Sequence, residues 1–296
     1  MAGPLGRAMA RLLELGGVRV ESRFVEVGGA RLHYLEAGKG WPVVLIQGAG
    51  GGAANWYRIM GPLSARFRVL APDLPGFGFS EARRVVAPLG VFAAEVVREW
   101  LAAVGVEGCD VVGTSFGGLV ALRLAQLAPS RVRRLVLLDS VGLGRDVALP
   151  VRVAALPGIG RWALRPSRRG TAWLFRAWLT ADRRALQGAH EEALTEYLWQ
   201  SASAGDVQEL ARAIRLFADP LGQREVLSAA ELQRLASPTL VVWGARDRFL
   251  PPAHARRAAE LIPRSALYLL PEAGHSPNWE APEALLSALI PFLSGD

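Results

Sequence analysis

Three residues of this sequence have the types needed for a nucleophile, a base and an acid: Ser115, His275 and Asp247. Ser115 stands in Gly113-Thr114-Ser115-Phe116-Gly117, after the apolar run Val111-Val112 and ahead of a helical stretch from Leu119 to Ala128. A serine on a sharp turn between strand and helix is held exposed, and the flanking glycines leave room for that turn. The pattern arises easily by chance in a chain with 32 glycines, so its context carries the reading. A serine hydroxyl is a weak nucleophile at neutral pH and needs an adjacent base, usually histidine. Of four histidines, His33 falls in a strand, His190 in a helical region and His254 near a helix start. His275 instead occupies the loop Pro271-Glu272-Ala273-Gly274-His275-Ser276-Pro277, just past the last apolar run. Loops beyond the carboxyl ends of parallel strands are where such sheets build their sites, which selects His275.

The base needs a carboxylate to fix its tautomer and to stabilise the imidazolium. Asp247 follows the run ending at Trp243, and Asp139, the rival, follows Leu135 to Leu138. The chain order Ser115, Asp247, His275 ranks Asp247 first. Donors for an oxyanion are available in Gln47-Gly48-Ala49-Gly50-Gly51-Gly52, whose glycines let backbone amides approach a substrate, and in the Phe116 amide. No Gly-Lys-Ser/Thr follows the glycine run, so it does not read as a phosphate cradle. No His or Cys pair has metal-ligand spacing, so neither metal nor cofactor is expected.

The elements that must position these residues follow from apolar patterning. Residues 5 to 15 read as an amphipathic helix, and 23 to 27 and 31 to 36 as strands joined at Gly28-Gly29, a dipeptide suited to a hairpin turn. Short runs then alternate with helical patterns: 43 to 46, 69 to 70, 111 to 112, 135 to 138, 240 to 243 and 267 to 270. Runs apolar at every position suit strands buried on both faces of a parallel sheet. The expectation is an α/β fold with a mostly parallel eight-stranded sheet flanked by helices. The alternation lapses from about 143 to 230, where Trp162, Trp173, Trp178 and Trp199 lie in helical patterns without strand-like runs. The chain is thus read as a core, 1–142 and 231–296, interrupted by a helical insertion at 143–230.

At 296 residues, half of them apolar, the chain can bury a full core. The net charge of +7 comes from arginine almost throughout, since Lys39 is the lone lysine. The arginines are dispersed and not interleaved with aromatics, which argues against a nucleic-acid groove. Arg165, Arg168, Arg169, Arg183 and Arg184 read as a solvated basic face, with binding of an anionic group as the alternative. Cys109, the single cysteine, reads as a core thiol and needs no oxidising compartment. No apolar run reaches membrane-spanning length and no signal-peptide pattern opens the chain, so a cytoplasmic location is expected. The expected partner is a small-molecule substrate, with neither nucleic acid nor membrane, and self-association into a homo-oligomer is compatible with the sequence.

Together these motifs resemble the α/β-hydrolase superfamily over roughly 24 to 142 and 231 to 296, where Asp73-Leu74-Pro75-Gly76-Phe77-Gly78-Phe79-Ser80 looks like the family's D-x-x-G-x-G-x-S loop. The resemblance implies Ala49 and Phe116 as oxyanion donors, a helical cap for the insertion, and Gly48 and Trp279 against the substrate. Gln47 stands where the family often has histidine. The stretch from Trp243 to Pro251, and Gly274-His275 with Trp279 beyond, look most like the branch that hydrolyses carbon–carbon bonds in ring-cleavage products. That branch has an asparagine shortly after its glycine loop, where this chain carries Trp56-Tyr57-Arg58. The leading expectation is a serine hydrolase cleaving a small ester or similar activated carbonyl through an acyl-enzyme. The alternatives are a carbon–carbon bond hydrolase of vinylogous diketones, a cofactor-free haloperoxidase-like or lyase activity, and a non-catalytic ligand-binding member.

Overall fold

The computed structural model describes residues 3–156, 158–160, 164–181, 186–205 and 207–295, with backbone alone at 207–209. Trp162, Arg183 and Arg184 lie outside the described residues. In chain order the strands are β1 (Glu21–Val27), β2 (Ala30–Ala37), β3 (Pro42–Ile46), β4 (Arg68–Pro72), β5 (Cys109–Thr114), β6 (Val132–Leu138), β7 (Ala218–Asp219), β8 (Gly222–Gln223), β9 (Thr239–Gly244) and β10 (Ser265–Leu270). Eight of them form one sheet in the order β1-β2-β4-β3-β5-β6-β9-β10. From β4 through β10 all neighbours pair in parallel, and β2 is antiparallel to both β1 and β4. Gly28 and Gly29, at φ 55° and 76°, make the expected hairpin between Val27 and Ala30, a left-handed pair that side chains disfavour.

Successive residues of the central strands feed opposite faces of the sheet, as the period of two requires. Val44, Ile46, Val111, Leu135 and Val241 join Trp100 of α3 (Leu89–Ala103) and Leu119 of α4 (Phe116–Leu127). Val43, Leu45, Val112, Val136 and Val242 pack on the other side with Leu12 of α1 (Pro4–Leu15), Met60 of α2 (Tyr57–Ser64) and Leu285 of the C-terminal helix Pro282–Ser294. Burying each such aliphatic side chain contributes roughly 1.5–3 kcal/mol. Burial on both faces fails at the last apolar run, because β10 is an edge strand. Its exposure alternates, and Tyr268 stays 39% exposed. Cys109 is buried in the core as expected, and burial pushes its thiol up to about 12.

Between β6 and β9 the chain leaves the sheet and is mainly helical: α5 (Leu149–Ala154), α6 (Arg168–Leu174), a π-turn at Phe175–Leu179, α7 (Ala189–Ala204), α8 (Val207–Phe217) and α9 (Ala229–Gln233). The expectation of no strands there needs correction, since β7 and β8 pair as a two-residue hairpin. Runs of two residues are too short to leave a periodic signature. Phe175, Leu194, Tyr197 and Leu198 of this insertion pack into the same cluster as Leu5 and Met9 of α1, so the N-terminal helix ties the insertion to the core. Arg168 is half exposed and ties α6 to α7 through Glu196 (3.1 Å) and Glu192 (3.4 Å). No helix among the described residues is long and apolar enough to cross a membrane.

Candidate active site

Ser115 occupies the junction of β5 and α4 with φ 52° and ψ −118°. A non-glycine residue there costs roughly 1–3 kcal/mol and persists only where its surroundings over-determine it. Three backbone hydrogen bonds do so: Ser115 N donates to Leu138 O (2.9 Å), and Gly118 N and Val141 N donate to Ser115 O (both 3.0 Å). Both motif glycines are required by space. A Cβ on Gly113 would lie 2.2 Å from Gly117 O, and one on Gly117 would lie 2.1 Å from Ile46 O.

The structure brings Ser115, His275 and Asp247 together at the carboxyl ends of β5, β10 and β9. His275 Nε2 lies 3.0 Å from Ser115 Oγ, and His275 Nδ1 lies 2.9 Å from Asp247 Oδ2. Asp247 Oδ1 accepts from Phe249 N (2.7 Å) and Leu250 N (3.0 Å), which fixes the carboxylate. The Phe249 ring covers the imidazole at 4.6 Å between centroids. Glu280 holds the loop that carries His275: its Oε1 accepts from Gly274 N (3.0 Å) and Ser276 N (3.2 Å), on either side of the histidine. Its Oε2 accepts from Ala181 N of the insertion (2.6 Å), and burial raises its carboxyl above the usual carboxylate range. Sequence reasoning missed Glu280, which carries no motif signal beyond standing five residues past the base.

The glycine loop after β3 lies against the nucleophile. A Cβ on Gly48 would be 3.1 Å from Ser115 Cβ and 3.6 Å from Ser115 Oγ. Ala49 is exposed in the same loop, and Phe116 opens α4 directly behind Ser115. Gln47 is fully buried, with Nε2 donating to Pro72 O (2.7 Å) and Oε1 accepting from Leu74 N (3.0 Å). That pair of bonds anchors the loop to the segment after β4 without the histidine common in the family. Asp73 supplies a second anchor: Oδ1 accepts from Ala53 N (2.6 Å), while Oδ2 accepts from Phe79 N (2.8 Å) and lies 2.7 Å from His33 Nδ1. The Asp73-to-Ser80 motif is therefore a clamp on the glycine loop, and His33 is its buried partner.

Asp73→Ala would leave two amides and a buried imidazole without their acceptor. It is expected to cost about 3–5 kcal/mol, read as a lowered urea midpoint at constant slope. A change below about 1 kcal/mol would contradict the clamp.

An asparagine does stand just after the glycine loop, which corrects the reading that Trp56-Tyr57-Arg58 replaces it. Asn55 is buried, its Nδ2 is 1.9 Å from where a Gly51 Cβ would be, and its Oδ1 has no partner. In sequence it directly precedes the aromatic pair Trp56-Tyr57. Trp279 joins the core to the insertion, donating to Asn55 O (2.8 Å) and packing on Phe175 at 5.7 Å between ring centroids. The remaining histidines are structural: His190 Nδ1 meets Tyr57 Oη at 3.1 Å, and His254 is buried beside Trp243, its imidazole lowered by desolvation. Among the described residues, Asp139, Asp247 and His275 each bring one candidate metal-ligand atom within 4.8 Å of the others. Both ring nitrogens of His275 are already engaged by Asp247 and Ser115, so the cluster is arranged as a proton relay.

The model of the alpha/beta hydrolase fold matches residues 42–282. The chain is 31% identical over 288 residues to 2-hydroxy-6-oxo-6-(2'-aminophenyl)hexa-2,4-dienoic acid hydrolase of Metapseudomonas resinovorans, spanning 92% of this chain and 90% of that one. It is 29% identical over 272 residues to 2-hydroxy-6-oxo-6-phenylhexa-2,4-dienoate hydrolase of Burkholderia cepacia, spanning 89% and 91%. The solved 2-hydroxy-6-oxo-6-phenylhexa-2,4-dienoate hydrolase of Rhodococcus sp. strain RHA1 superposes with a TM-score of 0.79 at 26% identity, covering 94% of this chain and all of that one. A sheet of this topology, the family match across most of the chain and full-length likeness to hydrolases lead to one assignment: the chain belongs to the α/β-hydrolase fold family and is a hydrolase.

Proposed function

We propose that the protein hydrolyses a carbon–carbon bond in a vinylogous diketone of the 2-hydroxy-6-oxohexa-2,4-dienoate type, with Ser115, His275 and Asp247 as its triad. The observation that supports this reading over ester hydrolysis is the likeness to ring-cleavage-product hydrolases across about nine-tenths of both chains. The sequence ranked the ester first because G-x-S-x-G and its partners are common to both chemistries. The triad serves either bond: an attack on the carbonyl needs the same base and the same charge stabilisation.

In this reading His275 Nε2 takes the Ser115 proton as Oγ adds to the 6-oxo carbon. The amides of Ala49 and Phe116 stabilise the oxyanion, and Gly48 leaves room for the carbonyl beside Ser115. Collapse of the tetrahedral adduct breaks the carbon–carbon bond. The pair can leave because the dienol first tautomerises to its 2-oxo form, its O2 proton passing to C5, so the pair flows through C4 and C3 into the 2-oxo group and the resulting dienolate collects a proton from the imidazolium. Water activated by the same imidazole then releases the acyl group. Asp247 holds the ring in the tautomer that these transfers need. Trp279 and Phe175 form part of the wall on the cap side.

The test is turnover of 2-hydroxy-6-oxo-6-phenylhexa-2,4-dienoate, followed by loss of its chromophore, beside a short-chain aryl ester. The diketone is expected to win in kcat/KM by more than about 100-fold, because contacts to the remote dienoate are spent at the reacting centre. Preference for the ester would return the protein to the simpler activity.

A further inference from the structure

Behind the triad lies a second carboxyl group that the relay does not use. Asp139 follows β6, is fully buried, and sits at φ 42°, a left-handed conformation strained for an aspartate. Its own N–H donates to Val242 O (3.1 Å), and its Oδ1 accepts from Gly244 N (2.9 Å) at the end of β9. Oδ2 is buried and faces no donor among the described residues. The groups around it are Asp247, within the 4.8 Å cluster that also holds His275, and Glu280 beyond. An ionised Asp139 would therefore place a second negative charge beside Asp247 in a fully buried site, with one oxygen facing no protein donor among the described residues. Among the described residues no neighbouring cation offsets either cost.

We propose that Asp139 stands behind the triad as a neutral carboxylic acid whose Oδ2–H is donated to the Asp247 carboxylate, making it a positioning residue for the reaction. Protonation converts the orphan oxygen into a donor and removes the repulsion with Asp247 in one step. Burial first, and the Asp247 charge second, raise the Asp139 carboxyl well above the usual range, in the same direction as the geometry. Asp247 then receives hydrogen bonds from Phe249 N, Leu250 N, His275 and Asp139, so its carboxylate cannot rotate away from the imidazole. The strained backbone at Asp139 is the means by which β6 aims this side chain across to β9. The functional part of this inference rests on the triad of the proposed function. The protonation state does not.

The first experiment needs neither substrate nor variant. Infrared spectra of the wild-type protein at neutral pH, with and without carbon-13-labelled aspartate, should show a protonated-carboxyl carbonyl band that shifts with the label. Glu280 would give an unlabelled band, so the isotope separates the two, and absence of a shifted band overturns the proposal. The second compares the rate at which a fluorophosphonate labels Ser115. Asp139→Asn keeps a donor toward Asp247 and an acceptor for Gly244, and is expected to label within about threefold of wild type with an unchanged pH profile. Asp139→Leu removes the donor and should slow labelling by roughly 10- to 100-fold. A loss above about tenfold in Asp139→Asn, or a displaced pH profile, would mean that Asp139 acts as an ion and would overturn the proposal. A wild type that does not label at all sinks the serine chemistry, and the infrared band alone then decides Asp139.

Discussion

Replacing Ser115 with alanine should lower kcat on the diketone by on the order of 10⁵- to 10⁶-fold and leave the fold standing. The loss is large because Oγ is the atom that bonds to the carbonyl, and no other hydroxyl is hydrogen-bonded to His275 Nε2 among the described residues. What survives is the rate that the oxyanion donors and the bound geometry supply without a nucleophile. The fold survives because the elbow is held by backbone bonds to Leu138, Gly118 and Val141, none of which uses the side chain. Alanine inherits the same φ of 52° and strains the turn no more than serine does. The measurements are single-turnover chromophore decay for activity and the thermal midpoint for stability. Retention of more than about a tenth of wild-type kcat would remove Ser115 from the mechanism.

Much of this site was legible because its chemistry is written in local sequence. The elbow needs glycines at 113 and 117 for backbone clearance, and a sequence pattern can register that requirement directly. Position after an apolar run points to His275 and narrows the acid to Asp247 or Asp139, and chain order then ranks Asp247 first. What could not be read is held by contacts distant in sequence. Gln47 looked like a defect in the oxyanion motif, yet it is bonded to Pro72 and Leu74, a partnership that only the β3–β4 pairing creates. Glu280 is an unremarkable helix residue until the fold brings Ala181 and both neighbours of His275 to its carboxylate. The hairpin of β7 and β8 is too short for any periodicity. Substrate class was the hardest, because the elbow and the triad serve ester and carbon–carbon bond cleavage alike.

Exchange of Asp247 for asparagine is expected to cost on the order of 10⁴ in kcat, with little change in stability. The replacement is isosteric. Its oxygen can still accept from Phe249 N and Leu250 N, so the loop after β9 keeps its shape. The amide nitrogen then faces His275 Nδ1, and two donors cannot share that contact. The imidazole must carry its proton on Nε2 instead, where it points at Ser115 Oγ and cannot accept the serine proton. The carboxylate charge that stabilises the imidazolium is lost as well, so both stages of the relay weaken. Asp139→Asn is the control, because that residue lies one strand away and touches neither ring nitrogen in a hydrogen bond. Rates of Ser115 labelling and of diketone turnover in the two variants decide the assignment. If Asp139→Asn is the more damaging change, the triad acid resides on β6 and the order Ser115, Asp247, His275 is wrong for this chain.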